Sequence, residues 1–205
     1  IEQNMILPFS DEEEKIYVAN LAKVNEELQQ LYDIEGSDKM QILKMLTRLR
    51  QLCLEPRLVY DNIDQPSSKL KACMELIKTM QENKQKVLLF SSFTSALDLI
   101  AEECQKAGIT YYMLTGSTNK EERRELVSRF QKDDTTLFLI SLKAGGTGLN
   151  LTSAENVIHY DPWWNVSAQN QATDRAYRIG QKSNVQVFNL VMKDSVEEKI
   201  IELQK

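Results

Sequence analysis

None of the seven glycines in this 205-residue chain is followed by lysine, so the phosphate-binding loop G-x-x-x-x-G-K-[S/T] is absent. Without it the chain lacks the means of hydrolysing a nucleoside triphosphate unaided. Cysteine is scarce: Cys53, Cys73 and Cys104 are odd in number, far apart and each set among apolar neighbours. That pattern fits reduced core thiols better than disulfides or zinc ligands. The single histidine, His159, sits in an apolar run with no nucleophile or ligand partner near it in sequence, so it reads as a core residue and completes no hydrolase triad. No apolar run is long enough to cross a bilayer. The first residues, IEQNMILPFSDEEEK, carry neither a basic n-region nor a cleavage site, and the expectation is an intracellular protein. Basic charge is also short, at a net −5. Residues 1–35 hold nine acids against Lys15 and Lys23, which leaves the rest slightly positive, so any nucleic-acid face must be local.

What is present is an α/β rhythm. Ser10 and Glu13 form a capping-box start, and Tyr17, Leu21, Val24, Leu28 and Leu31 recur at helical spacing, which predicts an amphipathic helix over 11–32. After the break at Gly36, Ser37 and Asp38, a second helical pattern runs through Ile42, Leu43, Leu46, Leu49 and Cys53 and stops before Pro56. Its Lys44, Arg48 and Arg50 read as lying on or near the solvated side. The turn-rich DNIDQPSS at 61–68 is placed as the boundary between a helical lead-in, 1–66, and a main domain, 67–205.

Beyond that boundary, apolar runs at 87–90, 110–114, 137–140, 156–160 and 185–191 alternate with helical patterns near 69–82, 94–107, 119–131 and 167–178. Runs apolar at nearly every position imply strands buried on both faces, hence a parallel sheet sandwiched by helices. Ser195 and Glu198 cap a final helix. In such sheets ligands bind beyond the carboxyl ends of the strands, which directs attention to the loops starting at Ser91, Thr115, Ser141 and Asp161.

Gly145, Gly146 and Gly148 in SLKAGGTGLNL could expose amides to a phosphate or ribose, or simply make a tight turn. In QNQATDRAYRIGQ, Gln171, Arg175 and Arg178 share a helical face. Two guanidiniums on one helix suit a γ-phosphate in transfer; a solvated face with an Asp174 ion pair is the alternative. Asp161 runs straight into Pro162, Trp163 and Trp164 with no second acid, which speaks against a magnesium site. Of the two tryptophans, one is expected in the core and one at a groove.

Together, SLKAGGTGLNLTSAENVIHYDPWWN and QATDRAYRIGQ closely resemble the C-terminal motor lobe of the Swi/Snf-related remodelling ATPases of helicase superfamily two. SSKLKACMELI, KVLLFSSFTSALDLI and YYMLTGSTNKEERRELVSRF extend the likeness over about 67–205. RLRQLCLEPRLV resembles the helical segment before the lobe, with CLEP at Cys53–Pro56 where the family usually has a Cys-Asn-His-Pro-like string.

The resemblance implies a RecA-like fold and a DNA translocase that uses ATP and magnesium, both held mainly by an N-terminal RecA-like lobe outside this sequence. It implies arginine fingers at Arg175 and Arg178. Gln171, Gly146, Gly148 and Asn150 would lie at the nucleotide, the last three in a loop coupling it to DNA. Contacts to double-stranded DNA are implied for Ser91, Thr94, Thr115, Gly116, Lys143 and Trp164. Partners would be duplex DNA, the other lobe and a DNA-bound protein to be displaced. A start at Ile1 suggests a piece of a longer polypeptide, inactive alone. The compact spacing of motifs suggests a bacterial, cytoplasmic, nucleoid-associated protein, or a nuclear one if eukaryotic. An interaction module that keeps the fold without catalysis, and a strand-separating helicase, are the alternatives.

Overall fold

The computed structural model describes residues 1–32, 39–142, 144, 149–176 and 185–204. Its elements in chain order are β1 (Glu2–Leu7), α1 (Asp11–Tyr32), α2 (Lys39–Leu54), a 3-10 turn (Pro56–Leu58), α3 (Ser68–Glu82), β2 (Val87–Ser91), α4 (Thr94–Ala107) and β3 (Tyr111–Leu114). They continue as α5 (Lys120–Lys132), β4 (Leu137–Ser141), β5 (Asn156–His159), α6 (Val166–Asp174), β6 (Gln186–Met192) and α7 (Val196–Gln204). Among the described residues no helix is long and apolar enough to cross a membrane.

The six strands form one sheet in the order β1-β6-β5-β2-β4-β3, parallel at every pairing. VLLFS, LFLIS and NVIH, buried at every position, take the central places β2, β4 and β5. Successive residues point to opposite faces, so each strand feeds two cores. Leu89, Leu139 and Ile158 pack with Ile77 of α3 and Leu97 and Ile100 of α4. Leu88, Phe90, Phe138 and Val157 pack with Phe130 of α5 and Ala172 of α6. The expected sandwich is therefore present, built as a RecA-like lobe.

The lead-in helices do not stand apart from it. Tyr17, Val24, Met45, Leu49, Leu52 and Cys53 bury against Met192 and Val196, making a third cluster between α1, α2 and the end of the sheet. The capping box forms as predicted: Ser10 N donates to Glu13 Oε1 at 3.2 Å and Glu13 N to Ser10 Oγ at 3.3 Å. The Glu13 carboxylate also accepts from Ser68 N at 3.2 Å, joining the starts of α1 and α3. Glu55, where CLEP departs from the family string, is buried and accepts from Arg57 N at 3.1 Å and Ser67 N at 2.8 Å. The three cysteines are free and buried, and burial pushes the thiols up, Cys104 to about 12.

One strand has no counterpart in the sequence reading. Residues 2–7 pair with β6 along all of β1, and Ile1 N donates to Val185 O at 3.0 Å. Its polar EQN start shows no apolar period, because an edge strand can be held by its backbone ladder with little burial.

α3, β5, β6 and α7 converge on a buried ion pair. Lys69 Nζ lies 2.6 and 2.7 Å from the two Glu197 oxygens, and donates to Tyr160 O at 2.8 Å and Leu190 O at 3.1 Å. Glu197 Oε1 also accepts from Met192 N at 2.9 Å.

Candidate nucleotide and duplex-binding surfaces

The chain turns one way from β2, through α4 to β3, and the other way from β5, through α6 to β6, so the carboxyl ends of these adjacent strands are the switch point at which such sheets place a ligand crevice. Asp161 stands there, directly beyond β5. It is buried, its Oδ1 accepts from Ser91 Oγ at 2.6 Å and Ser92 N at 3.1 Å, and its Oδ2 faces Arg50 Nη2 at 3.4 Å. These partners make it a pin between two strand ends. Among the described residues no group of three or more His, Cys, Asp or Glu side chains could hold a metal ion.

The tryptophan loop follows Asp161. Trp163 is 3% exposed and packs edge-on to Phe90 and to His159, with centroids 6.2 and 5.6 Å away. Its N–H donates to Gln169 Oε1 at 3.1 Å, and its carbonyl accepts from Gln204 Nε2. Gln169 Nε2 donates to Asn189 Oδ1 at 3.2 Å, and Asn189 Nδ2 reaches Glu2 at 2.8 Å and Asn4 at 3.0 Å. A chain of amides thus joins the loop to β1 across α6 and β6. Trp164, one residue on, is 49% exposed. Of the expected division, one tryptophan in the core and one at a groove, the structure shows Trp163 in the core and Trp164 exposed.

His159 is the core residue expected. Thr173 Oγ1 donates to Gln169 O at 3.2 Å, so its oxygen is left to accept from His159 Nε2 at 2.9 Å, which places the ring proton on Nε2. Burial drives the imidazole pKa from its ordinary 6.5 down to about 3. The unfolded chain takes up this proton near 6.5 while the folded one refuses it. The neutral ring therefore contributes stability that is complete above pH 6.5 and is lost as pH falls towards 3. Between pH 6.5 and 4.5 the expected loss is about 2 kcal/mol. Urea midpoints across that window, with His159→Gln as reference, measure it; an equally steep fall in the variant rejects it.

The other sequence-predicted residues fall on two surfaces. Thr94 begins α4, exposed beside the switch point, whereas Ser91 is wholly buried and its hydroxyl is occupied by Asp161. Thr115 and Gly116 follow β3, two strands and so about 10 Å from β2. There Thr115 N donates to Thr118 Oγ1 at 3.1 Å. The second surface is the outer side of α6, with Gln171 exposed and Arg175 half-buried. α6 ends at Asp174, and Arg175 is its cap in helical conformation, its N–H on Ala172 O at 3.2 Å. Leu151 N donates to Arg175 O at 3.2 Å, which brings the exposed Asn150 beside Arg175. Lys143, Gly146, Gly148 and Arg178 lie outside the described residues.

The sequence reading missed Arg50. Placed on or near the solvated side, it instead turns inward, its side chain 15% exposed. The signal was there: Leu46, Cys53 and Leu54 stand four before, three after and four after it, on the apolar face.

Comparison with known proteins matches this frame. Residues 68–180 match the helicase conserved C-terminal domain. An uncharacterized ATP-dependent helicase of Mycoplasma pneumoniae is 38% identical over 178 residues, covering 86% of this chain and 17% of that protein. The mouse SWI/SNF-related matrix-associated actin-dependent regulator of chromatin subfamily A member 1 is 39% identical over 178 residues, 80% of this chain and 17% of its own. Among solved structures, the Sulfolobus solfataricus SWI2/SNF2 ATPase C-terminal domain superposes with a TM-score of 0.80 at 29% identity, covering 99% of this chain and 84% of that one. The core of the same ATPase in complex with dsDNA superposes at 0.83 and 33% identity, covering 100% and 43%. The chain spans about a fifth of the length of the curated relatives it matches. With a Swi/Snf-type motif set on a RecA-like sheet, the chain belongs to the helicase conserved C-terminal domain family, as a C-terminal lobe of the Swi/Snf-related kind.

Proposed function

We propose that this chain is the second motor lobe of an ATP-dependent double-stranded DNA translocase. The observation that carries the reading is the switch point between β2 and β5, where a pinned Trp163 leaves Trp164 exposed close to strand ends locked by Asp161. A related core in complex with dsDNA supports the same partner. Thr94 and Trp164 meet the duplex directly, Thr115, Gly116 and Lys143 flank it, and Ser91 acts through Asp161. Such contacts position a backbone rather than read sequence.

The surface of Gln171, Arg175 and Asn150 fits the edge of a nucleotide held by another lobe, because a helix end and a loop meet there through the Leu151–Arg175 bond. Arg175 and Arg178 supply positive charge to the γ-phosphate, and Gly146 and Gly148 bring backbone amides close. Magnesium belongs to the other lobe. Cycles of closure and opening then step the pair along DNA, displacing a bound protein, in a nucleoid-associated bacterial setting.

The test is ATP hydrolysis by the full-length protein with and without duplex DNA, beside the 205-residue chain alone. Duplex should raise turnover of the full-length protein, and the chain alone should hydrolyse nothing. Full-length turnover indifferent to duplex would sink the translocase reading, and no turnover at all would leave a non-catalytic interaction module.

A further inference from the structure

We propose that Arg50, on α2, is a positioning residue that holds the exposed Trp164 indole in a single orientation. It thereby makes the helical lead-in a working part of the surface assigned above to duplex DNA.

The argument begins at the strand ends. The Asp161 carboxylate is fixed by Ser91 Oγ and Ser92 N, both belonging to the end of β2, so its place is set by the two central strands. Arg50 reaches that carboxylate from 111 residues away in sequence. Its guanidinium lies 4.9 Å over the centroid of Phe93 and 6.0 Å from that of Trp164. A planar cation between two ring faces, tethered by one acid, has little freedom to turn. Among the described residues Arg50 is the only group that makes a ring or hydrogen-bond contact with the Trp164 side chain. Trp163, by contrast, is secured by its own backbone bonds and two ring neighbours. Removing Arg50 should therefore free one tryptophan and leave the other where it is.

Direct contact between Arg50 and a DNA phosphate is the competing role, and the two differ in what lysine can replace. Lysine restores charge but offers no planar face to stack. A direct phosphate contact, moreover, sets part of the salt dependence of binding, whereas a residue acting through Trp164 does not.

The test uses the 205-residue chain labelled with 5-fluorotryptophan, which gives two fluorine resonances because it has two tryptophans. Loss of one in Trp164→Phe assigns them. In both Arg50→Ala and Arg50→Lys the Trp164 resonance should move and sharpen while that of Trp163 stays in place, which also shows that the core has folded. Affinity for a short blunt duplex should fall roughly tenfold in both, with an unchanged slope of log Kd against log salt. A Trp164 resonance unmoved in Arg50→Ala overturns the proposal. So does an affinity restored by lysine together with a salt slope reduced by about one in Arg50→Ala. The proposal rests on the duplex reading only for its second half: if the wild-type chain fails to bind duplex, that reading falls, and the fluorine resonances still decide whether Arg50 positions Trp164.

Discussion

Arg178→Ala in the full-length protein is expected to lower duplex-stimulated ATP hydrolysis by about a thousandfold or more, with the KM for ATP little changed. The size follows from when the group acts. A guanidinium presented across a cleft meets charge that accumulates on the transferring phosphoryl oxygens only as the bond breaks, so its loss is felt in turnover more than in substrate binding. Arg178→Lys should recover little, because a compact ammonium cannot grip two oxygens at once. Arg175→Ala should be severe for a mixed reason, since its neighbourhood also carries the Leu151 backbone bond that brings Asn150 beside it. Steady-state kinetics with saturating duplex separates the cases, and a variant within about threefold of wild type would remove Arg178 from the chemistry.

Lys69→Met is expected to destabilise the lobe by about 3–5 kcal/mol, much of the 5–15 kcal/mol by which folded proteins typically exceed their unfolded states. The substitution leaves the Glu197 carboxylate buried without its cation and leaves the carbonyls of Tyr160 and Leu190 without their donor. The double variant Lys69→Met/Glu197→Leu should recover part of the loss, because removing both charges also removes the desolvation cost of the pair. Urea denaturation gives the comparison, and a single variant within about 1 kcal/mol of wild type would show the pair to be dispensable.

The sheet was legible because its strands announce themselves. Runs such as VLLF and LFLI have no polar face, and only a central position in a parallel sheet buries both sides of a strand. β1 was not, because an edge strand needs only a neighbour's backbone, which leaves little trace in EQNMIL. At the site, the fate of the two tryptophans followed from their adjacency in a loop, where both could not be buried. The place of Arg50 on the apolar face of its helix was legible in the spacing of Leu46, Cys53 and Leu54, but its pairing with Asp161 was beyond the reach of local reading. Their meaning lies in a contact across 111 residues. The helix carrying Gln171 was found from its spacing of three and four; it ends at Asp174 with Arg175 as its cap, and the last two residues of the expected range, 177 and 178, lie outside the described residues.

The edge strand has a mechanical consequence. β1 lies parallel to β6 and matches it residue for residue from Glu2 to Leu7, with Ile1 N on Val185 O closing the end of the ladder. A force applied along this strand loads the rungs together, in shear, instead of parting them one after another like a zipper. The same strand carries Glu2 and Asn4, which hold the Asn189 amide. Tension entering the lobe here would thus pass through Asn189 and Gln169 to the backbone of Trp163, so the loop that presents Trp164 sits on a stiff line of transmission rather than at the end of a slack one.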